Sequence, residues 1–278
     1  MKNITYYRDY LDISYFSWSV PDKGYVWIEN TDFVQSEPAS KILIINQKMQ
    51  TENIIRPLAN SELWLKFAQL ETSCDHIESF ANSFGWLGVG EAIIYKGNGT
   101  AMIVGESFLR WELEIRLLKT ISQLWEWTKE ENEEKLKKSI TWNKSNVYFQ
   151  NAFFKQLIAG YGMKRPEFFN VWTYGDLYGP AQVFIQEVLN EKLKEIHPRL
   201  LFNKDGNLQE YIYPKTLIAA IWYQFFQVIT GQKKFIRCEI CNEWMDVTEK
   251  RSDKTQHTKC GNLMRQKKLK NNTRVNKC

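Results

Sequence analysis

Cys238-x2-Cys241 and His257-x2-Cys260 are two close pairs of metal-ligating side chains, with fifteen residues between them. No other feature of the sequence constrains folding as tightly. Tetrahedral zinc takes four soft or borderline ligands, and structural sites draw them as two close pairs from two elements. A two-residue spacer lets the chain curl until both donors face one point. The turn after the second cysteine favours a positive φ, and Asn242 is among the few non-glycine residues that tolerate one. The flanks, Lys234–Arg237 and Glu243–Val247, predict a β-hairpin. The second pair falls near the start of a predicted helix from Thr258 to about Lys270. This strand–loop–helix order is that of a treble-clef-like zinc finger. Four protein ligands leave no open position for water, so the expected role is one structural Zn2+ held by Cys238, Cys241, His257 and Cys260. The competing reading, a redox-active C-x2-C, lacks the surrounding βαβ pattern.

Charge separates this tip from the rest. Residues 231–278 hold 13 Lys and Arg against 5 Asp and Glu, a balance of +8, whereas the other 230 residues carry 24 against 27. Nothing acidic follows Asp253. A mildly acidic body with a basic tip is a footprint of nucleic-acid contact. Lys250, Arg251 and Lys254 lie between the ligand pairs, and Lys259, Arg265, Lys267, Lys268 and Lys270 lie on or beside the last helix. These eight are the candidate nucleic-acid contacts. The arginines also suit bidentate reading of guanine edges. The plainer alternative is a solvated basic tail that adds solubility or binds the acidic patch of a protein.

The body has the means to fold. Hydrophobic residues make up 44% of the 278-residue chain and charged residues 25%, which excludes global disorder. The start, MKNITYYRDYLDISYF, lacks the apolar core and cleavage site of a signal peptide. No stretch approaches the ~20 apolar residues of a membrane span. The expectation is a cytoplasmic protein without membrane contact, whose clustered thiols read as ligands before disulfides.

Tyr25–Ile28 and Lys41–Ile45 read as strands, and Ser61 to Phe84 as one helix ended by Gly85. From about Glu106 a second helix carries a stripe at Phe108, Trp111, Ile115, Leu118, Ser122 and Trp125. Another starts near Pro180 and runs to Ile196, with His197 at its C-terminal end before Pro198. A third opens at Pro214 and closes at Gly231. The segment Ser145–Tyr178 is aromatic and open to either reading. The expected fold class is α+β, a predominantly helical body with a small C-terminal finger. Its expected parts are a mixed region 1–104, a helical region 105–231 packed with it, and the finger 232–278.

The tip resembles the CGNR zinc finger that follows an ABATE-type N-terminal domain in bacterial proteins regarded as transcription regulators. The residues that carry the likeness are Cys238-x2-Cys241, Trp244, Arg251, and Cys260-Gly261-Asn262 followed by Arg265, Lys267 and Lys268. It departs from that pattern twice: His257 takes the place of a cysteine at shorter spacing, and Leu263 stands where the final Arg belongs. Upstream, Phe80–Asn82 and Phe84–Gly88 resemble N-terminal motifs of such proteins. The resemblance covers about 40 of 278 residues. It implies a DNA-binding transcriptional regulator, whose body senses a ligand or mediates assembly.

Motifs for catalysis do not appear: there is no P-loop, G-x-S-x-G or H-E-x-x-H. Cys74-Asp75-His76 in a helix points three ways around the axis, so it is no nucleophile–base pair. Glu112, Glu114, Arg110 and Arg116 fit a solvated helix face. The expectation is therefore no enzyme. A protein-interaction module with a purely structural finger is the first alternative, and a nucleic-acid-processing enzyme or toxin the second.

Overall fold

The computed structural model describes residues 18–29, 41–45, 52–55, 60–88, 92–95, 102–144, 146–159, 174–194, 196–202, 206–248, 250 and 254–275. The chain divides into two compact units, Met1–Tyr223 and Gln224–Cys278.

The first unit is a mixture of helices and small antiparallel sheets, not a predominantly helical body. Strands β1 (Trp18–Pro21) and β4 (Glu52–Ile55) pair with each other. β2 (Tyr25–Glu29), β3 (Lys41–Ile45), β5 (Ala92–Tyr95) and β6 (Met102–Ser107) form a four-stranded sheet in the order β2-β3-β6-β5. Gly105 lets β3 and β6 close up, because a Cβ there would meet the Leu43 carbonyl oxygen at 2.6 Å.

The expected helix from Ser61 to Phe84 is two helices, α1 (Leu63–Ala68) and α2 (Cys74–Phe84). The break has a local cause. Ser73 adopts an extended backbone, and its hydroxyl caps α2 by accepting from the His76 N–H. Gly85, at φ 95°, ends α2.

Helix α3 (Phe108–Lys129) is the spine of this unit. Trp111, Ile115 and Leu118 are buried as the stripe predicts, but the seam then passes through Ile121 and Leu124 rather than Ser122 and Trp125. A stripe at true helical period drifts from a strict alternation of three and four residues. Phe67 of α1 and Phe80 of α2 pack their rings on Trp111, at 6.3 and 6.1 Å between centroids. The charged stretch after α3 is a separate short helix, α4 (Glu133–Lys137).

The aromatic segment that the sequence left open supplies two strands, β8 (Asn146–Gln150) and β9 (Lys155–Ala159), which form a meander with the preceding β7 (Ile140–Asn143). It packs on α5 (Tyr178–Lys192), with Phe149 stacked on Phe184 at 4.4 Å. His197 does not terminate a helix. It lies in β10 (Ile196–Phe202), opposite Tyr213 of β11 (Leu208–Pro214). The residue before a proline is pushed into extended geometry, which suits a strand better than a helix end. Leu200, Phe202 and Leu208 of this two-stranded hairpin are exposed.

Helix α6 (Leu217–Ile229) crosses the boundary between the units. Its start is tied to the loop after α2, where the Ile218 N–H donates to the Leu87 carbonyl at 3.0 Å. That loop is in turn held by Glu106, a side chain buried to 2% exposure. The Glu106 carboxylate accepts from the backbone N–H groups of Leu87 at 3.0 Å and Gly88 at 2.5 Å.

The second unit continues from α6 with the hairpin β12 (Phe235–Arg237) and β13 (Trp244–Asp246), followed by α7 (Thr258–Val275). Lys233 is 6% exposed, and its ammonium has no hydrogen-bond partner among the described residues. Burial lowers its pKa from the ordinary 10.5, with Asp246 opposing part of the shift. The folded state therefore holds fewer protons than the unfolded one between the depressed pKa and 10.5, and stability rises with pH through that window. Lys233→Met is expected to stabilise the tip by about 1 kcal/mol at neutral pH. Thermal melts should show this advantage shrinking toward pH ~10; a destabilised variant would mean that the ammonium is compensated.

Candidate metal centre

The geometry of the tip follows from short-range contacts. The Asn242 N–H donates to the Cys238 carbonyl at 2.8 Å, and Asn242 takes φ 57°, the left-handed conformation expected of it. The Cys238 N–H donates to the Glu243 carbonyl at 2.8 Å, which closes the knuckle into the hairpin. The expected strands are present, each slightly shorter. A cross-link brings the second pair up: the Glu239 N–H donates to the Thr255 carbonyl at 3.1 Å. Helix α7 then starts at Thr258, with Gly261 N–H donating to the His257 carbonyl at 3.0 Å.

These contacts gather Cys238, Cys241, His257 and Cys260, whose donor atoms all lie within 4.8 Å of one another. Cys241 Sγ stands 3.4 Å from His257 Nδ1. Ligand atoms at zinc bond lengths of ~2.0–2.3 Å in a tetrahedron are about 3.3–3.8 Å apart, so this pair suits one ion. Cys238 is 1% exposed and packs with Met245 and Val247, with Ile236 and Cys260 at the margin.

The thiols are not equivalent. Burial pushes the Cys238 thiol up, but hydrogen bonds from the backbone of Cys241, His257 and Ile240, and from the His257 side chain, outweigh it and hold the group at about 6. Burial, then hydrogen bonds and charge from Cys241 and Cys238, raise the Cys260 thiol to about 11. One thiolate is ready at neutral pH, and a second must be created against its neighbours. A divalent cation favours that arrangement.

The basic candidates are placed in part. Lys250, Lys259 and Arg265 are exposed, and Lys254 is half-buried. Lys254 Nζ reaches Thr258 Oγ1 at 3.4 Å. Arg251 lies outside the described residues. Lys267, Lys268 and Lys270 lie on α7, their side chains outside the description. Sequence reasoning did not find Arg237, whose guanidinium lies 4.7 Å over the Trp244 ring and donates to the Asn242 carbonyl at 2.9 Å. Its position opposite Trp244 in the hairpin was the available signal.

In the body, Glu112 pairs with Arg116, and Glu114 pairs with Lys192 and accepts from Trp222 Nε1 at 3.3 Å. Ser73 Oγ and Glu71 both approach Nδ1 of His76, at 2.8 and 3.5 Å. Because both meet the same nitrogen, the imidazole does not bridge a hydroxyl and a carboxylate as a catalytic triad requires.

The fold and site together define a mixed α and β protein with a Cys3His cluster near its C-terminal end. Comparison with family models, with curated proteins and with solved structures finds no match. Among the described residues no helix is long and apolar enough to cross a membrane.

Proposed function

We propose that the tip is a zinc-pinned DNA-binding module and that the chain is a transcriptional regulator of the CGNR type, with a treble-clef-like finger. The observation that carries this reading is the junction of the metal cluster with the basic helix. Cys260 lies in the first turn of α7, so an ion held by the cluster fixes the start of that helix. From Thr258 to Val275 the helix has six Lys and Arg and no acidic residue. Cations on a rigid scaffold bind phosphates and release counterions, which makes affinity salt-dependent. The ion itself supplies order rather than chemistry, because four protein donors fill its shell.

A second reading rests on Leu263 and Met264, which are both exposed on the same helix. It makes α7 a protein-docking element. Fluorescence anisotropy with labelled duplex DNA across salt separates the two. DNA binding is expected to give a steep log–log slope, with each phosphate contact worth about 0.9. Lys259→Ala with Arg265→Ala should flatten that slope by about 2. Absent or salt-independent binding would favour the protein-docking element.

A further inference from the structure

A cleft of about 600 Å3 opens in the first unit between α3, the loop joining α1 to α2, and the turn from β8 to β9. Its volume falls within the ~300–1,000 Å3 of small-molecule sites. The turn presents Phe153, which is 60% exposed, with its ring over the Arg116 guanidinium at 3.7 Å.

Both partners are held in place. Asn151 Oδ1 accepts from the backbone N–H groups of Phe153 at 2.8 Å and Phe154 at 2.7 Å, while its Nδ2 donates to Thr120 Oγ1 at 3.1 Å. Arg116 Nη2 donates to Glu112 Oε1 at 2.5 Å. Arg116 Nε is buried and has no hydrogen-bond partner among the described residues. Lys119, one turn further along α3, lines the same cleft and is exposed, with no ion pair among the described residues. Gln69 and Gln123 bring amide groups to the walls. Glu71, the acidic residue on the wall, stands 3.5 Å from His76 Nδ1, which leaves a carboxylate at the rim.

An exposed aromatic ring fixed on a cation, beside a second free cation, is poor packing for water alone. It suits a flat ring that carries an anion. The ring stacks on the Phe153–Arg116 pair, as bases do on aromatic and guanidinium faces. The anion lies toward Lys119, and amides satisfy polar ring edges. A purely apolar ligand would leave the Lys119 ammonium without a counter-charge, and phosphate alone would make no use of Phe153. We propose that this cleft binds a mononucleotide. The assignment is independent of what the tip binds, because none of these residues belongs to the second unit.

The test is isothermal titration calorimetry of the zinc-loaded full chain with AMP, GMP, CMP and UMP in turn, and with adenosine and inorganic phosphate. At least one mononucleotide is expected to bind with a Kd below about 1 mM. The free nucleoside and free phosphate should bind at least about tenfold more weakly, since each lacks one half of the recognition. Phe153→Ala and Lys119→Ala should each weaken binding about tenfold, the lower end of the effect of losing a base–aromatic stack. Both side chains are exposed, so the variants keep the fold, which circular dichroism checks. The proposal is overturned if no mononucleotide binds or if Phe153→Ala leaves binding unchanged. It is overturned equally if binding is lost on Lys259→Ala with Arg265→Ala, which would put the nucleotide on the tip.

Discussion

Cys238→Ser is expected to empty the metal centre and unfold the tip, while the body stays folded. The tip has little else to hold it. Its buried apolar cluster is Cys238, Met245 and Val247, with Ile236 and Cys260 beside them. A core that small does not offset the chain entropy of about 1–2 kcal/mol per ordered residue. Structural zinc sites supply about 10–16 kcal/mol, and folding of such modules is coupled to the ion. Cys238 is the most buried ligand and carries the thiol held at about 6, so serine removes the donor that is ionised before any metal arrives. Elemental analysis should find about one zinc per wild-type chain and none in the variant. Proteolysis should become fast between residues 232 and 278 and remain slow in the body. Acid should mimic the substitution. Cys260, raised to about 11, must release a proton to bind, so metal affinity climbs with pH. It collapses as pH falls through about 6, where Cys238 also protonates. A wild-type chain without zinc, or a variant that keeps it, would sink the metal assignment.

Glu106→Ala is expected to destabilise the body by about 2 kcal/mol. Alanine leaves the Leu87 N–H buried without an acceptor, at a cost of about 1–3 kcal/mol, and the exposed Gly88 loses its link to the carboxylate. The loop also receives the Ile218 N–H at the start of α6, so its release loosens that helix. Glu106→Gln keeps one acceptor oxygen and should fall between alanine and wild type. Urea denaturation followed by tryptophan fluorescence measures both. A midpoint shift equivalent to less than about 1 kcal/mol for alanine would mean that the clasp is dispensable.

The tip was legible because its determinants are local. Two ligand pairs, a left-handed Asn242 and a hairpin around the first pair all operate within a few residues. The upper part of the α3 stripe was legible for the same reason. The body was harder to read. Ser73 breaks a pattern that is apolar at helical spacing on both sides, and periodicity alone does not register a cap. The β7–β9 meander is rich in aromatics that serve helix and strand equally. His197-Pro198 has the punctuation of a helix end yet lies in a strand whose partner follows a turn later. Glu106 and Phe153 were invisible, since their roles depend on groups 18 to 37 residues away in sequence. Apolar periodicity favoured helices, but the four-stranded sheet joins strands separated by up to 65 residues in their pairing.

The β10–β11 hairpin bears on how the protein behaves at high concentration. Among the described residues it is a ribbon of two strands, with Leu200, Phe202 and Leu208 uncovered. Such a ribbon can recruit further strands and grow into aggregates. Pro198 stands in the middle of β10 and has no N–H to offer, and Arg199 beside it adds a repelling charge. Proline and charge thus act as gatekeepers, so this exposed apolar hairpin is hindered from seeding a fibril.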